Sequence, residues 1–182
     1  VARSGQCFKG LLRLMASTAV LACDGADCCD TRLLMAARSL VGMLHAAGVL
    51  HDKMLRSLSA DDVDASFAPK AAAAAHLHKT TGAQHLFESC GLFSSVTSTF
   101  GYVGQANYAA ANAYLDALVL YRRRCGMLGS SLQIPAVSGA GMGARTFGEE
   151  QLEAMGAISL DAFAKCLGWT LAPARAATES TH

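Results

Sequence analysis

Short apolar runs alternate along this chain with longer segments of helical spacing, and that alternation limits its fold more than any other feature. Residues 18–22 (Thr-Ala-Val-Leu-Ala), Leu40 to Leu44, Leu86 to Phe93 and Ser131 to Ile134 read as strands. The third is the weakest, because Cys90-Gly91 stands where branched apolar residues would pack better. Residues 30–39, Asp61 to about Thr80, Asn107 to Arg124, Phe147 to Met155 and Asp161 to Leu171 carry helical spacing. Pro69 lies inside the second of these and should kink or interrupt it. Strand, helix, strand, helix at this spacing predicts a parallel sheet covered on both faces, a doubly wound α/β fold. Ligands of such sheets lie beyond the carboxyl ends of the strands. Four segments fall there: Cys23-Asp24, His45 to Gly48, Ser94-Ser95 and the residues from Pro135 onward.

Composition agrees with a packed domain. The 182 residues make one domain or most of one, 52% hydrophobic and only 16% charged, which argues against disorder. A formal charge of +1 gives no reason to expect nucleic acid or an anionic membrane as partner. The longest apolar stretch, near Leu11 to Cys23, is broken by Arg13, Ser17 and Thr18 and reads as no membrane span. Seven Cys is an odd number, with no Cys-x-x-Cys spacing, so reduced thiols are the simplest reading. His76 and His78 would face apart on a helix, and no metal is expected. Arg122-Arg123-Arg124 suits a helix C-terminus and reads as a solvated end.

The chemistry concentrates around Tyr108. Ser95 offers a hydroxyl after a strand; Tyr108 and Asn112, four residues apart, share one face of a helix. A phenol beside a second hydroxyl can hold a carbonyl oxygen and deliver a proton to it, which is the acid half of a carbonyl reduction. The other half needs a hydride donor. Singly, a Tyr in an alanine-rich helix is most often packing, and a Ser pair after a strand is most often a turn.

Leu92-Phe93-Ser94-Ser95, followed by Gly104-Gln105-Ala106-Asn107-Tyr108-Ala109-Ala110-Ala111-Asn112-Ala113-Tyr114-Leu115-Asp116-Ala117, resembles the ketoreductase domain of modular polyketide synthases, within the short-chain dehydrogenase/reductase superfamily. Most of that superfamily carries Tyr-x-x-x-Lys. The synthase ketoreductases carry Tyr-x-x-x-Asn and take their Lys from upstream, where this chain has Pro69-Lys70. Leu21-Ala22-Cys23-Asp24 and His45-Ala46-Ala47-Gly48-Val49-Leu50 fit in order, so the resemblance covers nearly the whole chain.

The resemblance implies a Rossmann-like sheet and a set of roles. Tyr108 would be the general acid, its pKa lowered by the Lys70 ammonium. Ser95 would bind the substrate carbonyl, and Asn112 would orient Lys70 or a relay water. Lys70 and Tyr108 would also reach the nicotinamide ribose of NADPH. His45, Ala46, Ala47 and Gly48 would pass under the cofactor, and Asp24 would meet its adenine or ribose region, or else cap the following helix. Leu50-His51-Asp52 stands where one stereochemical class has Leu-Asp-Asp, and Phe100 stands where the opposite class has Trp. Asp52 and Phe100 would thus bear on stereocontrol, leaning toward the D-configured hydroxyl.

The chain departs from the family in two places. The glycine-rich phosphate loop and the basic residues that select NADPH do not occur, as if the first strands were missing. Val1 and a helix-like stretch over 1–16 add to the expectation of a fragment, with residues 1–172 the C-terminal part of a ketoreductase and 173–182 a tail or linker. Such a piece alone is expected to bind NADPH weakly. The family's Trp-Gly-Pro-Trp is replaced by Ile134-Pro135-Ala136-Val137, so Ala136 and Val137 would reshape the acyl groove.

Two functional readings follow. The first is NADPH-dependent reduction of a β-ketoacyl thioester on the phosphopantetheine of an acyl carrier protein, beside other synthase domains, in polyketide or fatty acid biosynthesis. It implies a cytoplasmic protein, or a plastid one if a missing N-terminus targets it. The second is a non-catalytic ketoreductase piece kept as a scaffold or docking element.

Overall fold

The computed structural model describes residues 21–36, 40–82 and 87–171. Among them three parallel strands, β1 (Gly42–His45), β2 (Ser89–Ser95) and β3 (Ser130–Ile134), lie in the order β1-β2-β3. The register pairs His45 with Leu92 and Ser95 with Ile134, so the carboxyl ends of β2 and β3 finish together. The helices are α1 (Cys28–Ala36), α2 (Ala60–Phe67), α3 (Ala73–Thr81), α4 (Thr97–Phe100), α5 (Ala106–Arg124), α6 (Gly141–Thr146), α7 (Glu149–Ala154) and α8 (Leu160–Leu171). The strand expected at 18–22 lies, except for its last two residues, outside the described residues. So do residues 1–16, 37–39, Leu86 and the tail beyond 171.

Alternation along β2 explains why helices cover both faces. Cys90 and Leu92 point one way: Leu92 packs with Ala74, Leu115, Leu118 and Val119, and Cys90 with Met35 and Phe87. Gly91 and Phe93 point the other way, toward α8. A Cβ on Gly91 would lie 2.7 Å from Leu171 Cδ2, and the Phe93 and Phe163 rings meet edge to face at 5.7 Å. The glycine that weakened this strand in the sequence is therefore where α8 comes closest.

The buried residues of α5, Asn107, Tyr108, Ala111, Asn112, Leu115, Leu118, Val119 and Arg122, recur at helical spacing, and most of them lay one face on the sheet. Alanines dominate its first half, which favours the helix and lets α5 approach closely.

Pro69 acts as expected. It supplies no N–H, and the helix widens into a π turn over Ala68–Ala72 between α2 and α3.

Three expectations need correction. Arg122 is not solvated: it is 3% exposed, its Nε donates to Leu128 O at 2.9 Å, and its Nη1 donates to His78 Nδ1 at 3.1 Å and Thr81 Oγ1 at 3.3 Å. The end of α5 packs against α3, which supplies two of those three acceptors. The helix expected over Phe147 to Met155 forms over a shorter span. Phe147 is extended, its ring 6.0 Å from that of Tyr102, and α7 covers Glu149–Ala154. Asp24 does not cap α1. Asp27 does, accepting from Cys29 N at 2.7 Å and Asp30 N at 3.0 Å, while Asp24 closes its own turn onto Ala26 N at 2.9 Å.

Replacing Arg122 by Ala should cost about 2–4 kcal/mol in urea unfolding, since it strands several buried acceptors. Arg124→Ala, on the exposed side of the same turn, should cost under about 1 kcal/mol. Equal effects at the two positions would contradict this division.

Candidate active site

The carboxyl edge of β2 and the first turns of α5 bring the sequence-derived residues together. Ser95 ends β2, Tyr108 and Asn112 lie on the buried face of α5, and Lys70 sits in the π turn. All four are buried. Lys70 Nζ donates to Phe93 O at 3.0 Å and lies over the Tyr108 ring, 5.3 Å from its centroid. The β2 backbone and the phenol ring thus hold the amine from two sides.

Gly48 makes room for this lysine. A Cβ there would stand 2.8 Å from Lys70 Cε and 3.3 Å from Nζ. His45, at the end of β1, is buried, and its Nε2 donates to Lys70 O at 3.2 Å. A carbonyl can only accept, so Nε2 carries the proton. The His45 ring therefore secures the π turn, and Ala46 and Ala47 beyond it are exposed.

Ser95 Oγ accepts from Thr97 N at 3.2 Å and from Thr97 Oγ1 at 3.0 Å, which leaves its own proton to donate toward the Tyr108 oxygen or a ligand. Asn112 Nδ2 donates to Tyr108 O at 2.8 Å. Asn112 Oδ1 is buried without a hydrogen-bond partner, so it stands ready to accept one. The expected alignment of Lys70 by Asn112 is replaced by the Phe93 carbonyl.

Burial raises the Tyr108 pKa. The side chains of Asn112 and Ser95 pull it back, and the charge of Asp52 adds to the rise. This corrects the expectation of a phenol acidified by Lys70, whose amine lies over the ring face rather than beside the oxygen. Tyr108 is thus a protonated donor at neutral pH. Burial also brings Lys70 down to about 8, against an opposing pull from the Asp116 carboxylate. That carboxylate accepts from Ser98 Oγ at 2.7 Å, Gln133 Nε2 at 2.9 Å and Ser131 Oγ, tying α5 to β3 behind the site.

The remaining sequence-derived residues form the rim. Asp52 Oδ2 accepts from Gln105 Nε2 at 2.9 Å, just before α5. Phe100, at the end of α4, is 83% exposed. Ala136 and Val137 follow β3 and are strapped to the chain before α8: Ile158 N donates to Ala136 O at 2.9 Å, and Ser138 N to Ile158 O at 3.0 Å. Asp24 is exposed.

Sequence reasoning missed Asp62 and Asn107. Asp62 caps α2 with Ser59 in a capping box, and Ser59-x-x-Asp62 before a helical stretch was the available signal. Asn107 lay inside the quoted motif without an assigned role. Among the described residues no cluster of His, Cys, Asp and Glu could hold a metal, and no helix is long and apolar enough to cross a membrane.

Burial holds His45 neutral, with its pKa down at about 4 against an ordinary 6.5. Between those values the unfolded chain binds a proton that the folded one refuses, so stability falls as pH drops through 6.5 toward 4. From pH 7 to pH 5 the loss is about 2 kcal/mol. In urea unfolding, His45→Gln, which keeps a donor for Lys70 O, should lose about that much less over the same step. An identical acid loss in both proteins would contradict a buried neutral imidazole.

Known proteins place this geometry. The model of the KR domain family matches residues 3–139. The spectinabilin polyketide synthase system protein NorA' of Streptomyces orinoci is 49% identical over 115 residues, 61% of this chain and 3% of that protein. Polyketide synthase GfsB of Streptomyces halstedii is 42% identical over 143 residues, 72% of this chain and 2% of its own length. Among solved structures, the first ketoreductase of the tylosin polyketide synthase superposes with a TM-score of 0.77 at 31% identity, over 89% of this chain and 36% of that one. An A-type ketoreductase from a modular polyketide synthase gives 0.78 at 33% identity, over 87% and 35%. The chain therefore spans a few per cent of these synthases and about a third of these solved chains. With its Rossmann-like parallel sheet and the Ser95, Tyr108 and Lys70 cluster at the strand ends, this chain belongs to the ketoreductase domain family of polyketide synthases.

Proposed function

We propose that this chain forms the catalytic part of an NADPH-dependent ketoreductase that reduces a β-ketoacyl thioester, presented by an acyl carrier protein, to the β-hydroxyacyl form. One observation carries the reading. A phenol, a serine hydroxyl and a buried amine converge at the carboxyl edge of a parallel sheet.

The residues present fit the nicotinamide-ribose end of NADPH. Lys70 has three N–H donors, of which the Phe93 bond uses one, and the buried Asn112 Oδ1 has no partner. The exposed backbone at Ala46 and Ala47 and the missing side chain at Gly48 leave space beside the amine. Lys70 and Tyr108 would hold the ribose, and residues 46–48 would pass beneath it. The cofactor, when bound, supplies the hydride.

The chain's own groups do the rest. Ser95 Oγ donates to the keto oxygen and stabilises the negative charge that grows there. Tyr108 delivers its proton to the same oxygen, so the product leaves as an alcohol. The phenolate left on Tyr108 is stabilised by the Asn112 and Ser95 side chains and regains a proton through Lys70 and a water held at Asn112 Oδ1. Asp52 and Phe100 on one side, and Ala136 and Val137 on the other, would border the acyl chain and set which face of the ketone is reduced. Asp24 would reach the adenosine side of the cofactor.

The test is NADPH oxidation by the full natural chain with a β-ketoacyl N-acetylcysteamine thioester. Tyr108→Phe should lower kcat by about 100-fold or more. Ser95→Ala should lower it by about 100-fold. Both should still quench or shift NADPH fluorescence on binding. Tyr108→Phe working at the wild-type rate would remove the phenol from the mechanism.

A further inference from the structure

The loop that carries Asp52 is fastened at nearly every polar group around it. His51 Nε2 meets Asp62 Oδ1 at 2.6 Å, and Lys53 Nζ reaches both oxygens of Asp62 at 2.7 and 2.8 Å. Asn107 Nδ2 donates to His51 O at 3.0 Å, Asp62 O at 3.1 Å and Ser66 Oγ at 2.9 Å, and Asn107 Oδ1 accepts from Tyr108 N at 2.9 Å. Lys53 N donates to Gly104 O at 2.8 Å. Asp62 is 5% exposed and Asn107 3%.

Two buried polar side chains thus join three pieces: the loop at 51–53, the start of α2, and the first turn of α5. An ordinary surface loop needs no such anchor. Its flanking residues are free to point into water, and burying a carboxylate is costly unless several donors meet it. Here four groups make five contacts with Asp62: His51, the Lys53 amine at both oxygens, and the Ser59 N–H at 2.9 Å and hydroxyl at 2.8 Å. The one loop side chain turned away from Asp62 is Asp52, which reaches Gln105, three residues before Tyr108. Gly104 completes the fit: its φ of +80° suits glycine, and a Cβ there would lie within 3.9 Å of Lys53 N and Asp52 Cβ.

We propose that Asp62 and Asn107 are positioning residues. They fix the 51–53 loop against the first turn of α5, and so hold the Asp52 carboxylate at the site where it selects the face of the β-keto carbonyl that is reduced. The inference rests on the ketoreductase reading and adds to it two residues that touch no substrate. A loosened loop leaves Ser95, Tyr108 and Lys70 in place, because none of them bonds to it. The effect therefore falls on selectivity more than on rate.

The experiment uses the full natural chain, NADPH and a β-ketoacyl N-acetylcysteamine thioester, with chiral chromatography of the hydroxyacyl product. Asp62→Asn keeps an oxygen for the Ser59 cap but loses its charge toward Lys53 and His51. Lys53→Met leaves the Asp62 cap whole and serves if Asp62→Asn does not fold. Both should shrink the ratio of the two product enantiomers at least fivefold while kcat changes less than threefold. Amide exchange at Lys53 N should quicken at least tenfold. Arg122→Ala cuts the bonds between the far end of α5 and α3, away from the loop and from Asp62; it should lower the unfolding temperature and leave the product ratio unchanged. An unchanged ratio in both Asp62→Asn and Lys53→Met, or an equal shift in Arg122→Ala, overturns the positioning role alone. A wild-type protein that binds NADPH yet makes no hydroxyacyl product overturns the ketoreductase reading, and the positioning role with it.

Discussion

Burying the Lys70 amine is the constraint around which the rest of this site is arranged. An ammonium removed from water is costly, and its displacement from 10.5 to about 8 corresponds to about 3 kcal/mol. The fold offsets this in three ways. The Phe93 carbonyl, at the strand edge, accepts one of its protons. The Tyr108 ring offers its electron-rich face. The Asp116 carboxylate, one turn beyond Asn112 on α5, favours the charge through the protein interior. The backbone had to change as well. Pro69 opens the helix into a π turn, His45 holds the carbonyl that the turn presents, and Gly48 withdraws its side chain.

This arrangement divides the work among the elements. The sheet supplies fixed carbonyls and the serine at its edge. Helix α5 supplies the phenol and the amide, on a face where Leu115, Leu118 and Val119 pack on β2. Buried polar side chains then join pieces that apolar packing would leave free to slide. Asp116 ties α5 to β3, Asn107 ties it to the 51–53 loop, and Arg122 ties its far end to α3. Each is satisfied by several partners, which is the condition under which buried polar groups make a structure more definite rather than weaker.

The sequence made the frame and the clustered polar groups legible because both are local patterns. Alternation placed β1, β2 and β3 within about three residues, and the Tyr108 to Asn112 spacing put phenol and amide on one helix face. Pro69 announced an interruption, though not that it would take the form of a π turn. What could not be read was set by neighbours distant in the chain. Arg122 looks solvated in a run of three arginines until α3 brings His78 and Thr81 against it. The phenol looked as if Lys70 would acidify it, but the amine settled over the ring and burial dominated. The late start of α7 accompanies a contact of Phe147 with the Tyr102 ring, forty-five residues away. The alternative of Asp24 as a cap could not be judged until the start of α1 was seen, where Asp27 holds that place.

The most direct test is the ionisation of Lys70 itself. Carbon-detected NMR of lysine labelled at Cε, with the Lys70 signal assigned by its loss in Lys70→Arg, would follow that amine from pH 6 to pH 11. A midpoint near 8 would agree with an amine buried between the Phe93 carbonyl and the Tyr108 ring. A midpoint near the ordinary 10.5 would mean that Lys70 reaches water, and would contradict the account of how this site is held together.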